Sequence, residues 1–419
     1  MRESLYFIGE SPADRRHLSE TPMSGLHFTL SEDQAMVVET ARRLLRTLEP
    51  QRDRHLRMIY EEQRFPEEVW AAMAEAGLIG ALVPVEYGGS GLGVLGMALA
   101  LEEFARHGLP NGFCVLSSMT AMALLRGGTT AQKAQWLPAI AAGSCKCAFA
   151  ITEPDAGTNA FRMKTRARRD GEVYRLTGGK GWITGADVAD FILVVARMLS
   201  DDPPDTQARP KSAELGLFLV DANARGLEKQ RMNTFGLEGY RQFMLYFDEV
   251  EVPMARRIGS DQRGAAVLFQ ALNPERILIA AALVGLSEFA LSKAVAYARE
   301  RKVFGETPIG AYQGVQHPLA RVKITQEATR LLAYKAAWLF DREAPEAGHY
   351  ADMAKHMASE LAIAAVDAAI QTHGGSGFVR DHHLIDLWTS VRLFKTAPLN
   401  NEMILNQLAE HLLGLPRSY

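Results

Sequence analysis

Only three cysteines, Cys114, Cys145 and Cys147, occur in 419 residues. So few exclude a disulfide framework and suit a reducing compartment. Cys145-Lys-Cys147 lacks the spacing of a redox CxxC pair and the partner ligands of a zinc site, so both read as small core residues. Long hydrophobic runs are also missing. The longest, "ILIAAALVGL" at 277–286, falls far short of the roughly 20 residues a membrane span needs. Nor is there an excess of charge: a formal net charge of −3 excludes a nucleic-acid binder driven by phosphate neutralisation. Local basic patches for a phosphorylated small molecule stay open. The opening "MRESLYFIGESPADRRHLSETP" reads as neither a secretory signal nor a transit peptide. A cytoplasmic protein is expected.

What is present is ordinary globular material, 47% hydrophobic and 23% charged, long enough for two or three packed domains. Residues 1–27 read as a polar extension. From "FTLSEDQAMVVETARRLLRTL", with Ser31 as N-cap, apolar residues recur every three to four positions, and 28–145 reads as a helical domain with "EYGGSG" (86–91) as a loop. Then the period changes. Short β-branched and aromatic runs at 147–152, 174–184, 190–198, 215–221 and 243–253 predict a small antiparallel sheet or barrel over 146–260, with 200–214 as a polar loop. Over 261–419 the helical period returns. One long helix is expected to stop at Gly305 and another at Gly374. The fold class is α+β: helices, sheet, helices.

Three clusters carry candidate chemistry. "FAITEPDAGTNA" (149–160) sets hydroxyls and a glycine turn after a strand, where Thr152 could donate to a ring edge and backbone N–H groups could face an oxygen-rich ligand. A well-capped strand end accounts for it equally. "KGWITGADVADF" (180–191) puts Trp182 two residues from Thr184, hence on one strand face: a flat surface beside a hydroxyl, or a core tryptophan. "QTHGGSGFVRDHHLIDLW" (371–388) ends a helix in Gly374, Gly375 and Gly377, which permit close approach to a phosphate. His373, His382 and His383 lack the pairing a metal site needs, and no metal is expected.

In their order and spacing these motifs resemble the acyl-CoA dehydrogenase family, over residues 28 to 419. "TEPDAGT" is similar to its first signature, "KGWIT" to its flavin-side strand, and "MNTFGLEGYRQFMLYFDEVEVP" (232–253) to its sheet exit. "ARERKVFG" (298–305), "YQGVQHPLA" (312–320) and "QTHGGSGF" are similar to its C-terminal segments. The resemblance implies an N-terminal helical domain, a middle β domain and a C-terminal four-helix bundle. FAD would lie between the last two. It implies Thr152 and Thr184 hydrogen-bonding the flavin ring, Trp182 packing on it, and Thr158 touching the CoA part of a thioester. From a neighbouring subunit, Arg301 would meet the pyrophosphate, and Phe304 and Gln313 the adenosine half. Gln371, Gly374 and Gly375 would close the site. A homodimer or homotetramer follows, with an electron-transfer flavoprotein as acceptor.

The implied reaction is α,β-dehydrogenation of an acyl-CoA: a carboxylate takes the α-proton and the β-hydride goes to flavin N5. Many family members carry that carboxylate where "LFKTAPLNNEMI" (393–404) has Pro398. Glu402 aligns with a different glutamate. Two branches instead keep the base in a segment like "LNPERIL" (272–278), and Glu275 stands at the matching position. Asn273-Pro274 reads as the start or kink of a helix, so Glu275 would feel a helix N-terminus, which favours the carboxylate. Asn273 and Arg276 become the adjoining substrate-binding residues, Arg276 on a CoA phosphate or the helix terminus. The rival readings are a flavin monooxygenase or oxidase on the same fold, and a non-catalytic binding subunit.

Overall fold

The computed structural model describes residues 29–199, 215–236, 239–259 and 264–418. The extension 1–27 and the loop 200–214 lie outside the described residues. The first domain consists of α1 (Glu32–Leu48), α2 (Arg52–Tyr60), α3 (Glu67–Glu75), α4 (Gly93–Arg106), α5 (Gly112–Gly127) and α6 (Thr130–Ala141). At the first helix, Ser31 caps the Gln34 N–H and the Gln34 side chain accepts from the Ser31 N–H, satisfying two orphan donors reciprocally. The central helix α4 is buried along nearly its whole length.

The middle domain holds β1 (Cys147–Ala150), β2 (Arg166–Asp170), β3 (Val173–Thr184), β4 (Phe191–Met198), β5 (Leu215–Asp221), β6 (Leu227–Arg231), β7 (Gln242–Pro253) and β8 (Arg257–Ile258). They run in the order β6-β7-β3-β2-β4-β5-β8, with β1 beside β4. The purely antiparallel expectation is corrected here, because β4 pairs parallel with both β1 and β2. After the β2–β3 hairpin the chain turns through 185–190 and returns alongside β1. Strand direction is set by that non-local return, which a run of β-branched residues does not encode. Strands β4 and β5 are buried on both faces, which is why they read as unbroken apolar runs.

The last domain contains α7 (Gly264–Glu300), a hairpin β9 (Lys302–Val303) and β10 (Thr307–Pro308), α8 (Gln313–Asp341), α9 (Ala347–His373), α10 (Leu384–Leu393) and α11 (Asn401–His411). Three long helices make most of the bundle, and two short ones, α10 and α11, pack on α9 in the fourth place. Helix α7 is long and apolar enough to cross a membrane, but 72% of its most apolar 18-residue window is buried inside the fold. It is a core helix. It ends at Glu300 rather than at Gly305, whose φ of +98° serves the β9–β10 turn instead. Gly374 does terminate α9, at φ +57°.

Close helix contacts join the domains. The Asp341 carboxylate at the end of α8 accepts the Val94 and Leu95 N–H groups, at 2.7 and 3.0 Å, capping α4 from another domain. At Gly285 in α7 an added Cβ would stand 2.4 Å from the Glu102 carbonyl oxygen of α4. Gly285→Ala forces these two backbones apart and is expected to destabilise by about 1–3 kcal/mol. A lowered thermal unfolding midpoint is the readout.

Candidate active site

The β-domain side of the site is built on a buried ion pair. Lys180, fully buried, sends its Nζ to Glu153 Oε1 at 3.0 Å and to the Ile151 carbonyl at 2.8 Å. Glu153 also accepts the Lys164 and Thr165 N–H groups, at 2.6 and 2.9 Å. Burial pushes the Lys180 ammonium down to about 8 against the pull of Glu153. Burial would raise Glu153, but the Lys180 charge and the donated N–H groups outweigh it and hold the carboxyl below its usual range. The pair locks the turn carrying Thr152 to the strand carrying Trp182 and Thr184. The Gly181 N–H to Thr152 carbonyl bond of 2.9 Å adds to it.

Above this pair β3 is irregular. Its register against β7 shifts between Lys180 and Ile183, and Trp182 adopts φ +61° with its ring 56% exposed. A core tryptophan is ruled out. The bulge presents the indole outward. Thr184 donates to Gln242 Oε1 at 3.1 Å, and Gln242 is fixed in turn on the Tyr240 carbonyl. Thr158 accepts from Asn400 Nδ2 at 3.0 Å, so the turn after β1 meets the 394–400 turn of the C-terminal domain.

Glu275 lies on α7, and its place corrects one expectation. Pro274 is inside the helix, ten residues from its first residue Gly264, so Glu275 has no helix N-terminus beside it. The Asn-Pro pair imitates a start signal that packing overrides. The carboxyl is 7% exposed, and its Oε2 has no hydrogen-bond partner among the described residues. Burial pushes it up to about 7, against the opposing charges of Arg276 and Lys355.

Arg276 and Asn273 are engaged within the chain. The Arg276 guanidinium is 4% exposed and meets Asp352 of α9 at 2.5 Å and the Asn273 side-chain carbonyl. The two residues hold each other and α9. Pro398 and Glu402 are exposed. Beyond Glu275, a small cavity of about 60 Å³ is lined by Ile279, Leu283, Leu286, Val115, Tyr240 and Phe394. Ile279 stands one helical turn from Glu275 on the same stripe.

The remaining candidates form a second surface. Arg301, Phe304, Gln313, Gln371, Gly374 and Gly375 are all exposed, Phe304 at 93%. Gln371 helps line a groove of about 670 Å³ between α8 and α9, with Gly314, Pro318 and Arg321. The 275–300 stretch of α7, roughly 37 Å of helix, separates Arg301 from Glu275. Within one chain these are two places. The histidines are spread over ring contacts: His383 stacks on Tyr60, His373 on Tyr297, and His382 tilts toward His373.

Sequence reasoning passed over Glu153, Lys180, Asp352, Lys355 and Asn400. A signal existed for the first two, a charge of each sign inside the two strand-end motifs. Asp352 and Lys355 are likewise isolated charges in the alanine-rich "ADMAKHMASELAIAA".

A helical domain, a β domain and a helical bundle follow one another, and a buried carboxyl in the bundle stands one helical turn from an apolar cavity. The chain belongs to the acyl-CoA dehydrogenase family. The family's N-terminal, middle and C-terminal domains match residues 31–144, 148–250 and 262–413. It is 41% identical over 354 residues to acyl-CoA dehydrogenase FadE12 of Mycobacterium tuberculosis, covering 84% of this chain and 89% of that one. Among solved structures, butyryl-CoA dehydrogenase from Megasphaera elsdenii superposes with a TM-score of 0.84 at 27% identity, over 93% of this chain and 100% of that one. A glutaryl-CoA dehydrogenase from Mycobacterium smegmatis in complex with FADH2 gives 0.82 at 26% identity, over 93% and 96%. The protein is an FAD-dependent oxidoreductase of the acyl-CoA dehydrogenase type. Its donor set fits that cofactor: hydroxyls at Thr152 and Thr184 and an outward indole at Trp182, with an exposed guanidinium at Arg301.

Glu153→Gln leaves Lys180 buried without its counter-charge. A loss of about 3–5 kcal/mol is expected, read as a lower unfolding midpoint together with a lower flavin-to-protein absorbance ratio after purification. Glu275 works in the opposite sense. Its proton is held more tightly in the folded chain than in the unfolded one, where the value is about 4.3. Its contribution is therefore most favourable below that pH and is lost as pH rises through about 7. Glu275→Gln is expected to exceed wild type in stability at pH 8, by roughly 3 kcal/mol, and to match it near pH 4 in urea titrations.

Proposed function

We propose that the chain catalyses α,β-dehydrogenation of an acyl-CoA thioester to the trans-2-enoyl-CoA, with Glu275 as the base that takes the α-proton. The observation that carries this reading is a carboxyl raised to about 7, with one oxygen unpartnered, one turn from an apolar cavity. A general base works best when its proton affinity is matched to neutral pH and its lone pair is uncommitted. The acyl chain would lie along the Ile279–Leu283–Leu286 stripe. The thioester would sit toward the Thr158–Asn400 contact, where the β-domain turn meets the C-terminal domain. Bound FAD supplies the acceptor for the β-hydrogen and its electron pair. Thr152 and Thr184 would orient the flavin ring by hydrogen bonds, and Trp182 would shield one face.

The FAD site is proposed to span two copies of the chain. Support comes from the separation of Arg301 and Phe304 from Glu275 along α7, from their exposure, and from the groove beside Gln371. A homodimer or homotetramer would bring this surface of one copy to the Trp182 side of another, with Arg301 on the pyrophosphate. An electron-transfer flavoprotein is the proposed acceptor of the electrons.

The test is anaerobic mixing of purified protein with a panel of acyl-CoAs while following the visible flavin band. Bleaching by at least one acyl-CoA is expected in wild type, with a rate about 10²–10⁴-fold lower in Glu275→Gln. In wild type the second-order bleaching rate should rise about tenfold per pH unit below 7 and level off above it, as Glu275 loses its proton. Equal bleaching in both proteins would remove Glu275 from the mechanism. A flavin that no acyl-CoA bleaches but that oxygen turns over would favour a monooxygenase or oxidase.

A further inference from the structure

The cavity that begins one turn from Glu275 has a built floor. Leu286 lies two helical turns past Ile279, about 10 Å along α7, and shares the cavity with Pro110, Asn111 and Gly112 from the loop before α5. That loop rests on α7 just past Leu286. At Gly108, with φ +75°, an added Cβ would stand 2.7 Å from the Phe289 ring. Tyr240 ties the loop to the β domain: its hydroxyl donates to the Pro110 carbonyl at 2.8 Å. The Tyr240 ring also meets Phe65 edge-on, with centroids 5.9 Å apart. Asn111, 2% exposed, sends its amide to Met73 Sδ at 3.3 Å. Each part of the floor is thus fixed by a contact outside the cavity.

The space above this floor is about 60 Å³. A methylene group is close in size to a water molecule, which takes up roughly 30 Å³, so about two such groups fit. Among the described residues lining the cavity none is charged.

We propose that this floor restricts the substrate to a short acyl group with an uncharged tail, of about five carbons, and that Tyr240, Leu286 and the 110–112 loop set the length. The proposal rests on the reading of this cavity as the acyl site and adds the class of acyl group it takes. The carbonyl carbon, Cα and Cβ of the thioester stand beside Glu275 and the bound flavin, and only carbons past Cβ enter the cavity. A longer straight chain meets Pro110 and Tyr240. To admit it, the loop must lift off Phe289 and give up the Tyr240 hydrogen bond. A terminal carboxylate is refused for a different reason: it would be buried among apolar side chains with no cation to meet it.

Two positions allow opposite changes. Leu286→Ala removes side-chain volume at the floor. Gly112→Ala adds a methyl group where an added Cβ meets only Tyr240 Cε2, at 3.9 Å, and alanine is favoured over glycine in a helix.

The test is titration calorimetry of the purified FAD-loaded protein with S-alkyl-CoA thioethers, from ethyl to hexadecyl. These lack the thioester carbonyl, so they have no acidic α-proton and bind without reacting. In wild type, Kd is expected to fall about fourfold per added methylene and to stop falling near pentyl. Leu286→Ala should move that break to longer chains by about two carbons, and Gly112→Ala to shorter ones by about one. A carboxylate on the end of the pentyl chain should weaken binding at least about 100-fold. If Leu286→Ala does not fold, the shift in Gly112→Ala carries the test. A Kd that keeps falling through dodecyl in wild type, a break that neither variant moves, or a carboxylated chain bound as tightly as the plain one overturns the proposal. Acyl-CoA bleaching of the flavin is decided separately, because thioether binding involves no proton transfer. Failure of the dehydrogenation and failure of this inference therefore give different results.

Discussion

A buried carboxyl in the middle of α7, with one oxygen lacking a partner among the described residues, is the constraint around which the C-terminal domain is arranged. Removing an ionised carboxylate from water without compensation costs several kcal/mol, and such groups ordinarily neutralise or find a cation. Arg276 is the adjacent residue and the obvious cation. It is drawn away by Asp352, and the Asn273 side chain takes a further guanidinium hydrogen. Had Arg276 closed on Glu275 instead, the carboxyl would have fallen well below neutrality and its lone pair would be committed. Asp352 therefore protects the basicity of Glu275 by competing for its neighbour.

The same logic of paired charge organises the side facing the β domain. Lys180 and Glu153 sit beneath Thr152 and Trp182, and each is satisfied beyond the pair itself, Glu153 by two backbone N–H groups and Lys180 by a carbonyl. Pairs of this kind add little net stability but are severe when broken, so they define position more than they strengthen the fold. The domains are tied by similar means: Asp341 on the start of α4, Arg330 and Tyr334 on Glu102 at 2.7 Å each, and Asn400 on Thr158. The geometry of the site depends on contacts between residues far apart in sequence.

That dependence explains what could be read in advance. The switch from a period of 3.6 to a period of 2 and back is local, and so are the Ser31 capping box and the Gly374 stop. All were legible. The motif residues Thr152, Trp182 and Glu275 could be picked out because their chemistry is compressed into short segments. Strand direction in β4 could not, since it follows from the return of the chain beside β1. Asn273-Pro274 pointed to a helix start because local propensity cannot see that α7 is already packed on β5 and α9. The pairing of Arg276 could not be read for the same reason: its partner Asp352 is 76 residues away. Trp182 and Thr184 are joined through a bulge with a left-handed residue rather than through the plain alternation the motif suggests.

Pro398 then takes on a different meaning from a lost catalytic group. The turn around it is exposed at Pro398 yet held from both sides, by Lys355 and Asn401 at α9 and by Asn400 on Thr158. A carboxylate on that turn would have to be positioned by the turn. Glu275 is positioned by the middle of a 37-residue helix whose next turns line the apolar cavity. Glu275 and the wall of the apolar cavity are then one rigid element, so their separation does not vary with loop motion. The turn opposite is left with a structural duty, to seat the Lys355 ammonium.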